Sequence, residues 1–343
     1  MQHESLSAVL VGCGGISKAW LGAIAGWDEV RIVGLVDIAP EAAATRAAEF
    51  DLQDAALGAD LDAMLTKLKP DVLFNCTSPE AHLPTALVAL AQGCHVLGEK
   101  PLADSMESAR ELIEAADRAG RICAVIQNRR YLSAVRRLRR FVESGALGPL
   151  TTVHSDFFIG AHFGGFRDHM EHVLLLDMAV HTFDAARLLT GADPVSVYCK
   201  EWNPSGSWYD RDASAVALFQ MTGGLIYTYR GSWAAEGLAT SWEGEWRLIG
   251  PEGSVQWDGG DGFKAQVVAE RGGFTSQFRN ADVPPEDASD RVGGHAGVIA
   301  DFLQCVRDGT RPETDAHDNI KSLAMVFGAV QSAAEGREVE VAW

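Results

Sequence analysis

Ser7-Ala8-Val9-Leu10-Val11-Gly12-Cys13-Gly14-Gly15-Ile16-Ser17 joins a short apolar, strand-like run to a glycine-rich turn and the start of a helical stretch that runs toward Gly26. In Gly12-x-Gly14-x-x-Ser17 the first glycine permits a tight turn, and the second lets a diphosphate approach the backbone. The helix start behind them offers amide donors and a favourable dipole. Ser17 stands where a third glycine is usual, and a small side chain there still permits close helix–strand packing. The strand–turn–helix setting is what lifts the motif above a chance glycine turn.

The alternation continues downstream. Val30 to Asp37 reads as a strand, and Pro40 to Phe50 as a helix with proline at a favoured first position. Val72 to Cys76 is a third strand, and Glu80 to Gln92 is a helix closed by Gly93. His95 to Gly98 is another strand. Asp104 to Ala119 is a helix opened by a capping box, Asp104-x-x-Glu107, and closed by Gly120. Ile122 to Gln127 is the last strand of the series. Strands separated by helices of this length predict an α/β domain with a parallel, doubly wound sheet. Asp37 ends the second strand 20 residues after Ser17. An acidic residue there binds the adenosine ribose hydroxyls and repels a 2′-phosphate. No Arg or Lys falls between residues 38 and 44, so NAD is expected rather than NADP. A strand-end turn or helix cap is the alternative role for Asp37.

Beyond Gln127 the pattern changes. A helix is expected near Ala134 to Ser144. Strand-like runs follow at Thr151 to Ile159, Val195 to Lys200, Ala213 to Gln220, Gly224 to Gly231, Glu245 to Ile249 and Ala265 to Ala269. Turn signals separate many of them, which predicts a mostly antiparallel sheet. One helix, Val173 to Leu189, interrupts the series, and helices near Ala296 to Arg307 and Asn319 to Ala334 finish the chain. Two domains are expected, 1–127 and 128–343.

The 343 residues include 29 basic and 47 acidic side chains, a formal charge of −18 that disfavours nucleic acid and anionic lipid. No apolar run reaches the ~18 residues of a membrane span. Met1 to Ser7 has no Lys or Arg and no signal core, so a cytoplasmic protein is expected. None of the six cysteines forms a CxxC pair, and buried free thiols are the expectation.

Two further motifs carry chemistry. Glu99-Lys100-Pro101 follows a strand, and in open α/β sheets the strand C-termini face the ligand crevice. Asp177-x-x-x-His181 falls on a helical stretch, where residues i and i+4 share a face. Alcohol oxidation needs a base for the hydroxyl proton. A histidine suits that work, with a carboxylate to orient it and a lysine to hydrogen-bond the oxygen or act as base. Singly, each motif is as readily a solvated turn lysine or a surface ion pair.

Together these motifs resemble the Gfo/Idh/MocA oxidoreductase family, named for glucose-fructose oxidoreductase and inositol dehydrogenase. The resemblance covers nearly the whole chain. It rests on the loop Gly12, Gly14, Gly15, Ile16 and Ser17, the stretch Asn75-Cys76-Thr77-Ser78-Pro79-Glu80-Ala81-His82, Glu99-Lys100-Pro101, Asp177 with His181, and the C-terminal Gly309-Thr310-Arg311-Pro312 and Ser332-Ala333-Ala334-Glu335-Gly336. It implies a Rossmann domain followed by an open-faced α/β domain, and a homodimer or homotetramer. It also implies catalytic Lys100, Asp177 and His181. The implied cofactor contacts are the glycine loop, Asp37, Thr77, Ser78, Pro79, His82, Glu99, Lys100 and Gln127. Asn128, Arg129, His154 and Asp156 are implied substrate contacts, with structural pairing as their alternative. No metal is implied. His162, His169 and His172 lack the spacing of a ligand set. Of the tryptophans in the second domain, most are expected in the core or an interface. The expected activity is an NAD-dependent dehydrogenase of a sugar, inositol or related polyol. Redox-assisted elimination with recycled NAD and a non-catalytic nucleotide sensor are the rivals.

Overall fold

Strand β1 (Leu6–Val11) is buried from Ala8 to Val11 because it is at the centre of a wholly parallel sheet, with Val9 and Leu10 fully enclosed. The computed structural model describes residues 5–343. The reading of Met1 to Ser7 as free of a leader falls largely on residues 1–4, outside the described residues. After β1 come α1 (Ser17–Ile24), β2 (Val30–Val36), α2 (Pro40–Glu49), β3 (Ala56–Gly58), α3 (Leu61–Leu68), β4 (Val72–Asn75), α4 (Pro79–Ala91), β5 (His95–Gly98), α5 (Met106–Ala119) and β6 (Cys123–Val125). The sheet order is β3-β2-β1-β4-β5-β6. The order reverses beside β1, and this switch point is where open α/β sheets bind ligands at their strand C-termini. Helix α5 is capped by Ser105, whose side chain accepts from the Ser108 amide at 3.0 Å, so the capping box expected at Asp104 is not used.

The next segment holds a 3-10 turn (Asn128–Tyr131), α6 (Ser133–Glu143), β7 (Thr152–Phe158) and a single helical turn α7 (Phe166–His169). The helix expected over Val173 to Leu189 has two parts, a π-helical stretch Leu174–Ala179 and α8 (Val180–Thr190). Then follow β8 (Pro194–Trp202), β9 (Ser214–Met221), β10 (Ile226–Ser232), β11 (Glu245–Gly250), β12 (Gly253–Trp257), β13 (Phe263–Glu270), β14 (Gln277–Ala281), α9 (His295–Asp308), α10 (Ala316–Glu335) and β15 (Val339–Glu340). The second sheet has nine strands in the order β14-β13-β12-β11-β7-β10-β9-β8-β15 and is antiparallel except between β7 and β10. The π and α8 helices pack on one face of it, where Phe183 meets Phe219, Tyr227 and Tyr229 edge-on. The opposite face is open and carries the exposed Tyr198, Val216 and Leu218.

The chain divides into two compact units. The first comprises residues up to Tyr131 with Arg291–Leu323, and the second Leu132–Asp290 with Ala324–Trp343. The sequence suggests a single cut near Gln127, but α9 returns to the first unit. Its Val298, Ile299, Phe302 and Leu303 join the core formed by Leu10, Trp20, Leu21, Phe74 and Tyr131. No helix among the described residues is long and apolar enough to cross a membrane.

Candidate active site

The first unit gathers its polar groups at the C-terminal ends of β1, β2, β4, β5 and β6. Gly12 has φ 87°, and a Cβ there would lie 2.6 Å from the Cys76 carbonyl carbon, so no other residue fits without moving backbone. Gly14 and Gly15 face open space, with nothing within 4 Å of an added Cβ. Their amides and those at the start of α1 are therefore accessible to an anion. The Ser17 hydroxyl donates to the Gly14 carbonyl at 2.6 Å and locks the turn. Asp37 fixes it from the side, its carboxylate accepting from the Cys13 amide at 2.7 Å and the Ala39 amide at 2.8 Å. Buried Arg46 adds a brace that the sequence reading missed, donating to the Cys13 and Gly14 carbonyls at 3.0 Å each.

The loop after β4 is built around Asn75. Its side-chain oxygen accepts from the Thr77 hydroxyl at 2.6 Å, and its amide nitrogen donates to the His82 carbonyl at 3.1 Å. Ser78 and Pro79 open α4, and Ser78 is exposed. After β5, Glu99 turns inward and is 6% exposed. It accepts from the Trp20 indole at 2.7 Å and the Lys100 amide at 3.1 Å. Burial raises its pKa. Lys100 is half-buried, and the Lys100–Pro101 peptide is cis. Gln127, just beyond β6, is fully buried, with neither amide atom bonded among the described residues.

These features fit a dinucleotide. Open space lies over two glycines at a helix N-terminus, a carboxylate ends β2, and an orphaned buried amide waits at the end of β6.

In the second unit Asp177 lies in the π-helical stretch and His181 at the start of α8. Arg167 grips Asp177 with a two-pronged contact, Nε at 2.8 Å and Nη2 at 3.2 Å. Its guanidinium also sits 5.0 Å from the Phe163 ring centroid and 4.9 Å from that of Phe166. Phe163 in turn meets Trp233 and Trp242. The three neighbouring histidines are each taken by a different carboxylate: His162 by Glu236, His169 by Asp210 and His172 by Glu201. No group of three or more metal-ligating side chains occurs among the described residues.

Residues 6–127 match the profile described as "Oxidoreductase family, NAD-binding Rossmann fold", and residues 135–256 match the "GFO/IDH/MocA C-terminal domain". The chain belongs to the Gfo/Idh/MocA oxidoreductase family. D-apiose dehydrogenase of Paraburkholderia graminis is 26% identical over 98% of this chain and 90% of its own length. Inositol 2-dehydrogenase of Rhizobium meliloti is 24% identical over 97% and 98%. A crystal structure of an oxidoreductase from Agrobacterium radiobacter in complex with NAD+, L-tartaric acid and magnesium has the same fold, with a TM-score of 0.85, 20% identity and 98% of both chains covered.

As a Gfo/Idh/MocA oxidoreductase, this chain carries its NAD-binding Rossmann fold in the first unit. The glycine loop, Asp37, Thr77, Ser78, Pro79, Lys100 and Gln127 lie on that unit's strand ends. Glu99 and His82 instead face the interior. Arg129 and Arg130 are buried, and Arg130 bonds Asp318 and the Glu313 carbonyl, each at 2.9 Å. Asn128 lies 3.5 Å from His295. His154 and Asp156 alternate with buried Val153, Ser155 and Phe157, so they sit on the open sheet face, opposite the helix of Asp177 and His181. There His154 contacts Thr228 and Asp156 pairs with Arg230. Trp233, Trp246 and Trp257 are buried, whereas Trp202 and Trp242 are exposed. Arg167 was missed because its partner is ten residues away, beyond any helical spacing.

Two consequences are measurable. If the Asp37 carboxylate repels a 2′-phosphate, as its place at the end of β2 predicts, Asp37→Ser lowers the ratio of kcat/KM for NAD over NADP by about tenfold or more. An unchanged ratio assigns Asp37 to the turn alone. The other concerns His172, whose imidazolium is held above the ordinary histidine range by its bond to Glu201. The stabilisation is therefore full below a pH of about 6.5 and disappears as pH rises through the folded value. Glu201→Gln lowers stability by on the order of 1 kcal/mol at pH 6. Its melting-temperature deficit shrinks by pH 9, whereas equal deficits at both pH values contradict the assignment.

Proposed function

We propose that the protein is an NAD-dependent dehydrogenase of a sugar, inositol or related polyol, acting at a carbinol carbon. The observation that carries this reading is the phosphate turn at Gly12–Ser17 sharing one sheet edge with Lys100, in a chain that also keeps Asp177 and His181. A nucleotide sensor has no need of those proton-transfer groups. NAD, when bound, supplies the hydride acceptor. The amides of Gly14 to Ser17 hold its diphosphate, Asp37 its ribose and Gln127 its carboxamide end. Lys100 donates a hydrogen bond to the substrate oxygen and lowers the cost of charge developing there. His181 accepts the hydroxyl proton at its imidazole. Asp177 orients that imidazole, and Arg167 fixes Asp177. The exposed rings of Phe163 and Phe166 beside Arg167, with Trp242 next to Phe163, supply apolar surface for the carbon face of a sugar ring.

Six free, buried cysteines support a reducing, cytoplasmic location. The open sheet face with Tyr198, Val216 and Leu218 supports a homodimer or homotetramer. The test is initial-rate NADH absorbance across monosaccharides, inositols, sugar acids and glycosides. Reduction of NAD with one class establishes the reading. NAD binding with no reduction by any member, and no elimination product from the glycosides, refutes it.

A further inference from the structure

His82 is 3% exposed, and both of its ring nitrogens face backbone carbonyls. Nδ1 lies 2.8 Å from the Pro101 oxygen and Nε2 lies 3.0 Å from the Thr77 oxygen. Carbonyl oxygens only accept, and a neutral imidazole has one N–H. A neutral ring therefore bonds one carbonyl and turns a lone pair on the other, while a doubly protonated ring bonds both. The two carbonyls belong to two different loops, the one carrying Thr77 after β4 and the one carrying Lys100 after β5. Asn75 stiffens the first loop, and Glu99 holds the Lys100 amide in the second.

We propose that His82 is a positioning residue, a clamp that ties the Lys100 loop to the Thr77 loop and so sets where the Lys100 ammonium stands. Its imidazole touches neither substrate nor cofactor. Burial holds the ring's pKa below the ordinary histidine range, outweighing the Thr77 and Pro101 carbonyls and the charges of Glu99, just after β5, and Glu80 in α4, all of which favour a second proton.

The proposal rests on Lys100 serving the hydride transfer proposed above, so the experiment separates the two. Parent, His82→Phe, His82→Gln and Lys100→Met are compared for kcat, KM, NAD dissociation constant and melting temperature. His82→Phe fills the space without a donor. Its kcat falls on the order of 10²-fold, while its NAD dissociation constant changes by less than about fivefold. His82→Gln restores one donor and recovers part of the loss. In the parent, selectively labelled ¹⁵N-histidine spectra show a slowly exchanging ring N–H that vanishes in His82→Gln. Parent-like kcat in His82→Phe, equal losses in both variants, or no protected ring N–H overturns the clamp. Should His82→Phe not fold, the kcat of His82→Gln and the spectra decide. Turnover by Lys100→Met instead overturns the role of Lys100.

Discussion

Lys100→Met lowers kcat by at least about 10³-fold, the upper part of the range for a positioned proton-transfer or hydrogen-bonding group. The NAD dissociation constant stays within about twofold, because methionine keeps the length of the side chain and the turn at Gly12 to Ser17 is untouched. The reason is geometric. Lys100 follows directly on β5, whose C-terminal end lies on the same edge of the parallel sheet as the glycine turn after β1. Its backbone is fixed by the Glu99 carboxylate, which is itself held by the Trp20 indole. The loss is therefore one of chemistry at the ammonium. Single-turnover rates together with fluorescence titration of NAD check both halves, and turnover within about threefold of the parent removes Lys100 from the mechanism.

The second large effect contrasts two glycines two residues apart. Gly12→Ala forces a Cβ to within 2.6 Å of the Cys76 carbonyl at a left-handed φ of 87°. Backbone must move in the middle of the parallel sheet. The expected destabilisation is about 3 kcal/mol or more, with loss of NAD binding. Gly14→Ala meets nothing within 4 Å, so the fold stays within about 0.5 kcal/mol of the parent. Its methyl group projects into the open space over the turn, where we propose the diphosphate lies, and NAD affinity falls on the order of 10²-fold. Denaturant midpoints and NAD titrations of the two variants separate the roles. Equal stability losses contradict the assignment.

Much of this site can be read along the chain because its parts are local. The turn at Gly12 to Ser17, the acid at Asp37 and the lysine after β5 each take their meaning from residues within one strand–loop–helix step. What escapes is set by partners distant in sequence. Arg46 braces Gly14 from 32 residues away, and His82 reaches Pro101 across 19. Neither contact leaves a periodic trace. The same holds for the fold. The long apolar strands are evident, but β12 begins with Gly253 and Ser254, and β14 is an edge strand whose Gln277 to Asn280 are exposed. β14 has no alternating burial and so no signature, and β12 alternates only over Val255, Gln256 and Trp257. His154 and Asp156 show another limit. Their alternation correctly gives one face of β7, yet a strand alone does not say which face the helices cover.

The return of α9 to the first unit bears on how the protein is made. A ribosome releases β1 to β6 long before residues 295–308 are translated, and Val298, Ile299, Phe302 and Leu303 belong to the same core as Trp20 and Leu21. The dinucleotide half is thus the first to be begun, yet it is not complete until Leu323, after residues 132–290 of the other unit have been made. Until then the apolar ground that α9 covers stays open, the exposure that recruits chaperones to nascent chains. A fragment ending at Gln127 carries every glycine and acid of the turn but lacks the lid of its own core.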